Sequence, residues 1–178
     1  MPSWRSSITE LLVTSLPGAP HRGLLRAGHR ALPCALGRTG IGIKRREGDG
    51  VTPRGTFALT QVLVRPDRFP ALASALPLAT IEQQDGWCDA TGHRLYNRPV
   101  TLPFEASHEE MWRDDALYDC VIVLDFNMTR RLTRGGSAIF FHIARDDYGA
   151  TEGCVAIAED HMRWLLPRLS TKAIMTIG

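Results

Sequence analysis

Ser137-Ala138-Ile139-Phe140-Phe141-His142-Ile143-Ala144 is an apolar run that delivers a histidine, and Thr151-Glu152-Gly153-Cys154-Val155 follows it across the cluster Asp146-Asp147-Tyr148-Gly149. The run is short, continuous and rich in aromatic and branched residues, so it reads as a buried strand, and the Asp/Gly cluster reads as a turn. Chain reversal at that turn brings Cys154 near His142. A cysteine attacks as its thiolate and needs a base or a cation to lower its pKa. A glycine just before it lets a substrate carbonyl come close to the backbone. Cysteine-dependent nucleophilic chemistry is therefore one reading of the pair. The other is a small buried thiol beside a histidine with a structural hydrogen bond.

Working outward, the chain reads as mainly β. Ile8 to Thr14, Gly23 to Ala27, Ala31 to Leu36, Gly55 to Val64, Tyr118 to Phe126, Ser137 to Ala144 and Lys172 to Ile177 are strand candidates, and the intervals between them are rich in Gly, Pro, Asp and Asn. A helix is expected over Glu159 to Leu169, where Met162, Leu165, Leu166 and Leu169 recur at helical spacing and two acids open the first turn. Pro167 marks its last turn as weak. A second short helix is expected over Arg68 to Leu76. The expected architecture is one domain, residues 1–178, of sheets with one or two helices packed on them.

Composition fits a globular enzyme: 178 residues with 44% hydrophobic content can bury a sizeable core. A formal net charge of +2 gives no footing for a nucleic-acid partner. Basic residues stand among acids, as in Lys44-Arg45-Arg46-Glu47 and Arg113-Asp114-Asp115, so a solvated surface is the expectation for both runs. Cys34, Cys88, Cys120 and Cys154 are widely spaced without a CxxC pair, which argues against a zinc or redox motif. His108-Glu109 lacks the second histidine of a metalloprotease helix, so no metal and no cofactor are expected. Met1 to Gly18 has no continuous apolar segment of a secretory signal, and no stretch approaches the roughly 20 apolar residues that span a bilayer. The expectation is a cytoplasmic protein without a membrane partner, or a periplasmic one if a longer exported form exists.

A second stretch, Gly48-Asp49-Gly50-Val51-Thr52-Pro53-Arg54-Gly55-Thr56-Phe57, carries a resemblance. It is similar to the Thr-Pro-x-Gly-x-Phe element of the L,D-transpeptidase catalytic domain, or YkuD, family, and the His142 and Gly153-Cys154 elements resemble the family's later histidine and its Ser/Thr-His-Gly-Cys motif. Gly40 to Gly50, Gly86-Trp87-Cys88-Asp89, Tyr96-Asn97-Arg98-Pro99 and Ser107 to Trp112 look like a compact bacterial subgroup, so the likeness spans about Gly23 to Leu169. It implies a β-sandwich or barrel-like sheet assembly. Two departures stand out. Glu152 occupies the position of the motif's histidine, and Ala156 that of an arginine thought to help hold substrate. The interval from His142 to Cys154 is also short for the family.

The resemblance implies a mechanism and a substrate. Cys154 would attack a peptide carbonyl, His142 would take the thiol proton and return it to the departing amine, and a thioester would link two half-reactions. Backbone N–H groups around Gly153 and Cys154 would hold the oxyanion, and the carbonyl of Ile143 would orient the imidazole. The substrate would be the stem peptide of bacterial cell wall (muropeptides), cleaved after the L-centre of meso-diaminopimelate with release of D-alanine. Such a ligand is zwitterionic. Arg98 and Arg113 are the candidates for its carboxylates, Asn97 for peptide groups, Trp87, Tyr96 and Trp112 for apolar walls, and Thr151, Glu152 and His108 for further contacts. Glu152 could instead orient His142. With no export signal in view, water is the favoured acyl acceptor, which makes an L,D-carboxypeptidase of wall recycling; transpeptidation is the alternative, and a peptide-binding or thiol-sensing domain is the alternative of another class. A carbapenem acylating Cys154 would mark the enzyme.

Overall fold

Short polar turns dictate the start of the fold. Gly18 and Gly28 take positive φ, 76° and 58°, at the tips of two successive hairpins. The computed structural model describes residues 7–70 and 73–178. Those hairpins join β1 (Ile8–Leu16), β2 (Ala19–Ala27) and β3 (Arg30–Ala35). There follow β4 (Gly40–Gly42), β5 (Val51–Pro53), β6 (Gly55–Val64), β7 (Leu78–Thr80), β8 (Asp85–Cys88), β9 (Arg98–Thr101) and β10 (His108–Glu110). The last part holds β11 (Cys120–Leu124), β12 (Phe140–Ile143), β13 (Val155–Ile157), α1 (Glu159–Leu165), a 3-10 turn at Leu166–Arg168, and β14 (Leu169–Ile177).

The large sheet runs β11-β12-β13-β3-β2-β1-β14-β6-β7, and β11 also pairs with β6. That extra pairing closes the sheet on itself: β6 meets β14 through Gly55–Ala58 and β11 through Leu59–Val64. The result is a barrel, with β7 branching off the far half of β6. A small sheet, β10-β8-β9, packs against the outside of β11 and β12. The expected β-rich architecture is therefore what forms, and closure removes the edges that an open sheet would leave.

Side-chain alternation sorts the strands' residues between two cores. Cys120, Ile122 and Leu124 of β11, with Phe141 and Ile143 of β12, face the barrel interior with Leu11, Val13, Leu25 and Met175. Val121, Val123 and Phe140 face the small sheet with Trp87, Met111 and Tyr118. Both faces of β11 and β12 are buried, which is why these segments read as unbroken apolar runs.

The helix is shorter than its apolar spacing suggests. α1 ends at Leu165, Leu166–Arg168 tightens into 3-10 geometry with Pro167 inside it, and Leu169 already belongs to β14. The helix expected over Arg68 to Leu76 is absent among the described residues. Phe69 N–H bonds back to the Arg65 carbonyl at 2.8 Å in a turn, and Pro70 biases the residue before it away from helical angles. Ala71 and Leu72 lie outside the described residues.

The Thr-Pro-x-Gly element has a visible structural task. Thr52 is wholly buried and its Oγ1 accepts the Gly37 N–H at 2.7 Å. Gly37 sits so close to Gly50 that a Cβ there would lie 2.1 Å from the Gly50 oxygen. On either side of Gly37, Leu36 O accepts Thr151 N–H at 2.9 Å and Arg38 N–H donates to Thr151 O at 3.1 Å. Thr52→Val keeps shape and removes the acceptor of a buried N–H, so urea denaturation should show a loss of about 1–3 kcal/mol; an unchanged midpoint would show that Thr52 is not an anchor.

Candidate active site

β12 and β13 pair in parallel, with Phe141 opposite Val155, His142 opposite Ala156 and Ile143 opposite Ile157. The connection between them therefore crosses over instead of reversing as a hairpin would. Phe141, Ile143, Val155 and Ile157 point into the barrel. His142, Cys154 and Ala156 point outward, into one cavity of about 370 Å³ beside the small sheet. Cys154 and His142 are 7% and 4% exposed, so each is buried in protein yet opens on the same space.

The sulfur is held by backbone. Cys154 Sγ accepts the Phe140 N–H at 3.3 Å and donates to the Ala138 carbonyl at 3.3 Å. Among the described residues no hydrogen bond joins Sγ to the imidazole. His142 Nδ1 lies 2.8 Å from the Ile143 carbonyl oxygen, a contact that only an Nδ1–H can satisfy, so Nε2 is left as the free basic nitrogen. The ring also packs edge-on against Tyr118, centroids 5.3 Å apart.

Burial decides the charge state. It pushes the Cys154 thiol up to about 12; the Phe140 N–H and the Lys44 ammonium pull the other way, and Glu109 and Glu152 reinforce the rise. It also lowers His142 to about 4, against the opposing effect of its bond to the Ile143 carbonyl. At neutral pH both groups are uncharged, so the resting site holds a thiol beside a neutral imidazole.

Of the other residues singled out in the sequence, Arg113, Glu152 and Thr151 line the cavity. Arg113 is held by Asp115 through two bonds of 2.8 and 2.7 Å. Glu152 pairs with Arg38 and makes no bond to His142. Thr151 Oγ1 donates to the Cys154 carbonyl at 2.7 Å and accepts the Gly153 N–H at 3.2 Å, so the Gly153 N–H is already engaged. Gly153 has φ 136°, and a Cβ there would lie 2.7 Å from the Val51 oxygen; the glycine makes room for β5 as well as for any ligand.

The remaining candidates lie elsewhere. Trp87 is core: its ring stands edge-on to Phe140 and its Nε1–H donates to Asn97 Oδ1 at 3.0 Å. Asn97 is buried and also accepts the Ala138 N–H at 3.1 Å while donating to the Phe126 and Asn127 carbonyls. Tyr96 is buried with its hydroxyl on Glu47. Arg98 donates to the carbonyls of Asn97 and Met128, Trp112 lies under the Arg65 guanidinium at 3.5 Å, and His108 Nδ1 faces the Ala106 carbonyl. None of these six lines the cavity.

Several cavity residues carried no strong signal in the sequence. Lys44, Glu47, Asp89, Glu109, Ser137 and Tyr118 all line it. Lys44 and Glu47 come from a run that reads as solvated surface, yet the Lys44 side chain is only 2% exposed and pairs with Asp49 at 2.8 Å. Burial raises the Glu109 carboxyl, opposed by the hydrogen bond from the Tyr118 hydroxyl. Among the described residues no group of His, Cys, Asp or Glu side chains could hold a metal ion.

A β-barrel with a thiol and an imidazole opening on one outer cavity restricts the class. The chain belongs to the L,D-transpeptidase catalytic domain family, YkuD, whose profile matches residues 21–177. No curated protein matches it. Among solved structures it is similar to the crystal structure of Mycobacterium tuberculosis L,D-transpeptidase 1, at 14% identity and a TM-score of 0.39, over 94% of this chain and 61% of that one. No helix of the described residues is long and apolar enough to cross a membrane.

The depressed His142 gives a pH test. The unfolded chain takes up this proton near 6.5, the ordinary value, and the folded protein only near 4. The unfolded state thus binds more protons between those values, so stability is full above about 6.5 and falls with acid down to about 4, at up to about 1.4 kcal/mol per pH unit. Urea midpoints measured across this window should lose that component in His142→Gln; equal slopes would show that His142 is not buried neutral.

Proposed function

We propose that the protein is a cysteine-dependent acyl-transfer enzyme acting on peptidoglycan stem peptides, and that it works as an L,D-carboxypeptidase. The observation that carries this reading is the placement of Cys154 and His142 on one face of β12 and β13, opening on a single cavity. Family membership supports the substrate class.

In this reading the thiol proton passes from Sγ to His142 Nε2 as substrate enters, and the sulfur adds to the peptide carbonyl at the L-centre of diaminopimelate. The oxyanion faces the backbone N–H of Cys154, since that of Gly153 is spent on Thr151. Collapse breaks the C–N bond, the imidazolium gives its proton to the departing amine of D-alanine, and a thioester remains. Water then attacks with the imidazole as base, the C–S bond breaks, and the thiol is restored with a tripeptide carboxylate released. The Ile143 carbonyl keeps the imidazole in the tautomer both half-reactions need.

The cavity's lining supports a zwitterionic ligand. Glu47, Asp89 and Glu109 offer carboxylates to an ammonium group, and Lys44, Arg113 and Arg145 offer cations to carboxylates. Its volume, about 370 Å³, lies near the lower end of ligand pockets. A cavity of that size holds one peptide terminus beside Cys154.

Incubation with a diaminopimelate tetrapeptide, read by mass spectrometry, should give tripeptide and free D-alanine. Cys154→Ala should abolish turnover, and His142→Gln should lower kcat by about 100-fold or more. A carbapenem should add to Cys154 and not to the alanine variant. Crosslinked dimers or D-amino-acid exchange without tripeptide would move the assignment to a transpeptidase, and muropeptide binding without turnover, unchanged in Cys154→Ala, would make it a binding module.

A further inference from the structure

Lys44 stands out among the groups around the cavity. A lysine with a 2% exposed side chain is uncommon, and two glycines make its position possible. A Cβ on Gly136 would lie 2.4 Å from Lys44 Cε, and one on Gly153 would lie 3.4 Å from Nζ. Both glycines have positive φ, 92° and 136°. The stem of Lys44 thus crosses one glycine and its ammonium comes to rest on the other, the residue that directly precedes Cys154.

The ammonium is held there by a carboxylate that is itself fully bonded. Asp49 Oδ1 accepts Lys44 Nζ at 2.8 Å and Val51 N–H at 3.0 Å, and Oδ2 accepts the N–H groups of Arg45 and Arg46 at 2.9 and 3.2 Å. Burial acts to raise the Asp49 carboxyl, and Lys44 with these three N–H groups outweighs it, setting it at about 2. Asp49 is therefore a permanent anion and Lys44 its fixed counter-ion. Of the three N–H bonds an ammonium can donate, one is spent on Asp49, and the side chain borders the cavity.

We infer that Lys44 is the charge partner of Cys154: its ammonium, seated against the Gly153 backbone, stabilises the sulfur as a thiolate once His142 has taken its proton. The inference rests on the proposed reading of Cys154 as nucleophile and names the cation that reading requires. The other cations of the cavity are less suited: Arg113 is clamped by Asp115 through two bonds where Lys44 gives Asp49 one and reaches Gly153, and Arg145 is exposed to water. Ala156 carries no charge, although the position borders the same cavity. The remaining groups that face the sulfur work against a thiolate or are neutral. Glu109 and Glu152 repel it, Tyr118 is uncharged, His142 is neutral at rest and becomes an imidazolium only by taking the thiol proton, and Glu47 and Asp89 add negative charge to the cavity wall.

The test is the pH dependence of alkylation of Cys154 by iodoacetamide, read on the tryptic peptide that contains it, alongside thermal melts. This readout needs no turnover. Lys44→Gln keeps an N–H for Asp49 and removes the charge; its profile should move up by about one pH unit, about tenfold slower at pH 8. Lys44→Arg should restore the parent profile. Asp49→Asn, which leaves the ammonium uncompensated, should move the profile the opposite way, a sign that mere loosening of the loop does not produce. A Lys44→Gln profile that superimposes on the parent overturns the inference. Should that variant melt below the assay temperature, Asp49→Asn decides, and an upward or absent shift overturns it. Shifted profiles in a protein that leaves the tetrapeptide intact would keep the Lys44 role and remove the carboxypeptidase reading; turnover with superimposed profiles would do the reverse.

Discussion

The placement of Cys154 depends on one hydrogen-bonded chain, Thr52 to Gly37, Gly37's neighbours to Thr151, and Thr151 to Cys154. β13 has only three residues and touches β3 at a single pair, Ala156 with Ala35. Its parallel partner β12 has only four, so the sheet ladder alone gives Cys154 little purchase. What the ladder lacks, side-chain bonds supply: a buried threonine from the start of the domain holds the loop that holds the residue three positions before the sulfur. This explains in physical terms why a Thr-Pro-x-Gly element and a cysteine about a hundred residues apart belong to one device. Removing the hydroxyl at Thr52 strands a buried N–H, and the strain is passed along bonds that end on the Cys154 carbonyl.

Burial sets the chemistry as firmly as it sets the packing. A thiol and an imidazole taken out of water together are both driven to their neutral forms, and here each finds a backbone partner suited to that form: the S–H a carbonyl, the Nδ1–H another. The pair rests uncharged. Ionising either group would have to be driven by what enters the cavity and by the fixed charges around it. A dyad of this kind is protected from oxidants, because oxidation follows thiolate character and exposure. The same burial explains why the Ala138 and Ile143 carbonyls matter. They hold two mobile protons in place without adding a charge to the site.

Much of this was legible in the sequence, for reasons that are local. His142 and Cys154 stand in apolar segments whose alternation places them on one face, and β6, β11 and β14 announce themselves by length and branching. Strands of three or four residues such as β8, β9 and β13 have no period long enough to read. Trp87, Tyr96 and Asn97 look like ligand contacts when seen as residue types, since aromatic and amide side chains serve both purposes. Only the fold shows that Asn97 spends its whole amide on Trp87, Ala138 and two carbonyls. Lys44 failed in the opposite direction. Its neighbours Arg45 and Arg46 are exposed, so the run is mostly the solvated face it resembles, and nothing local reveals that one member turns inward toward glycines some ninety and more residues away.

Ala156 and Lys44 are best understood together. A positive charge on β13 at position 156 would stand opposite His142 in the ladder, and there it would oppose any imidazolium. A charge delivered from the loop between β4 and β5 rests instead against Gly153, the residue before Cys154. The carboxylates of Glu47, Asp89 and Glu109 line the same space, so the cavity carries cations and anions together with a small neutral residue opposite His142. Such a field favours a ligand with charges of both signs, and it leaves His142 without a cationic neighbour on β13.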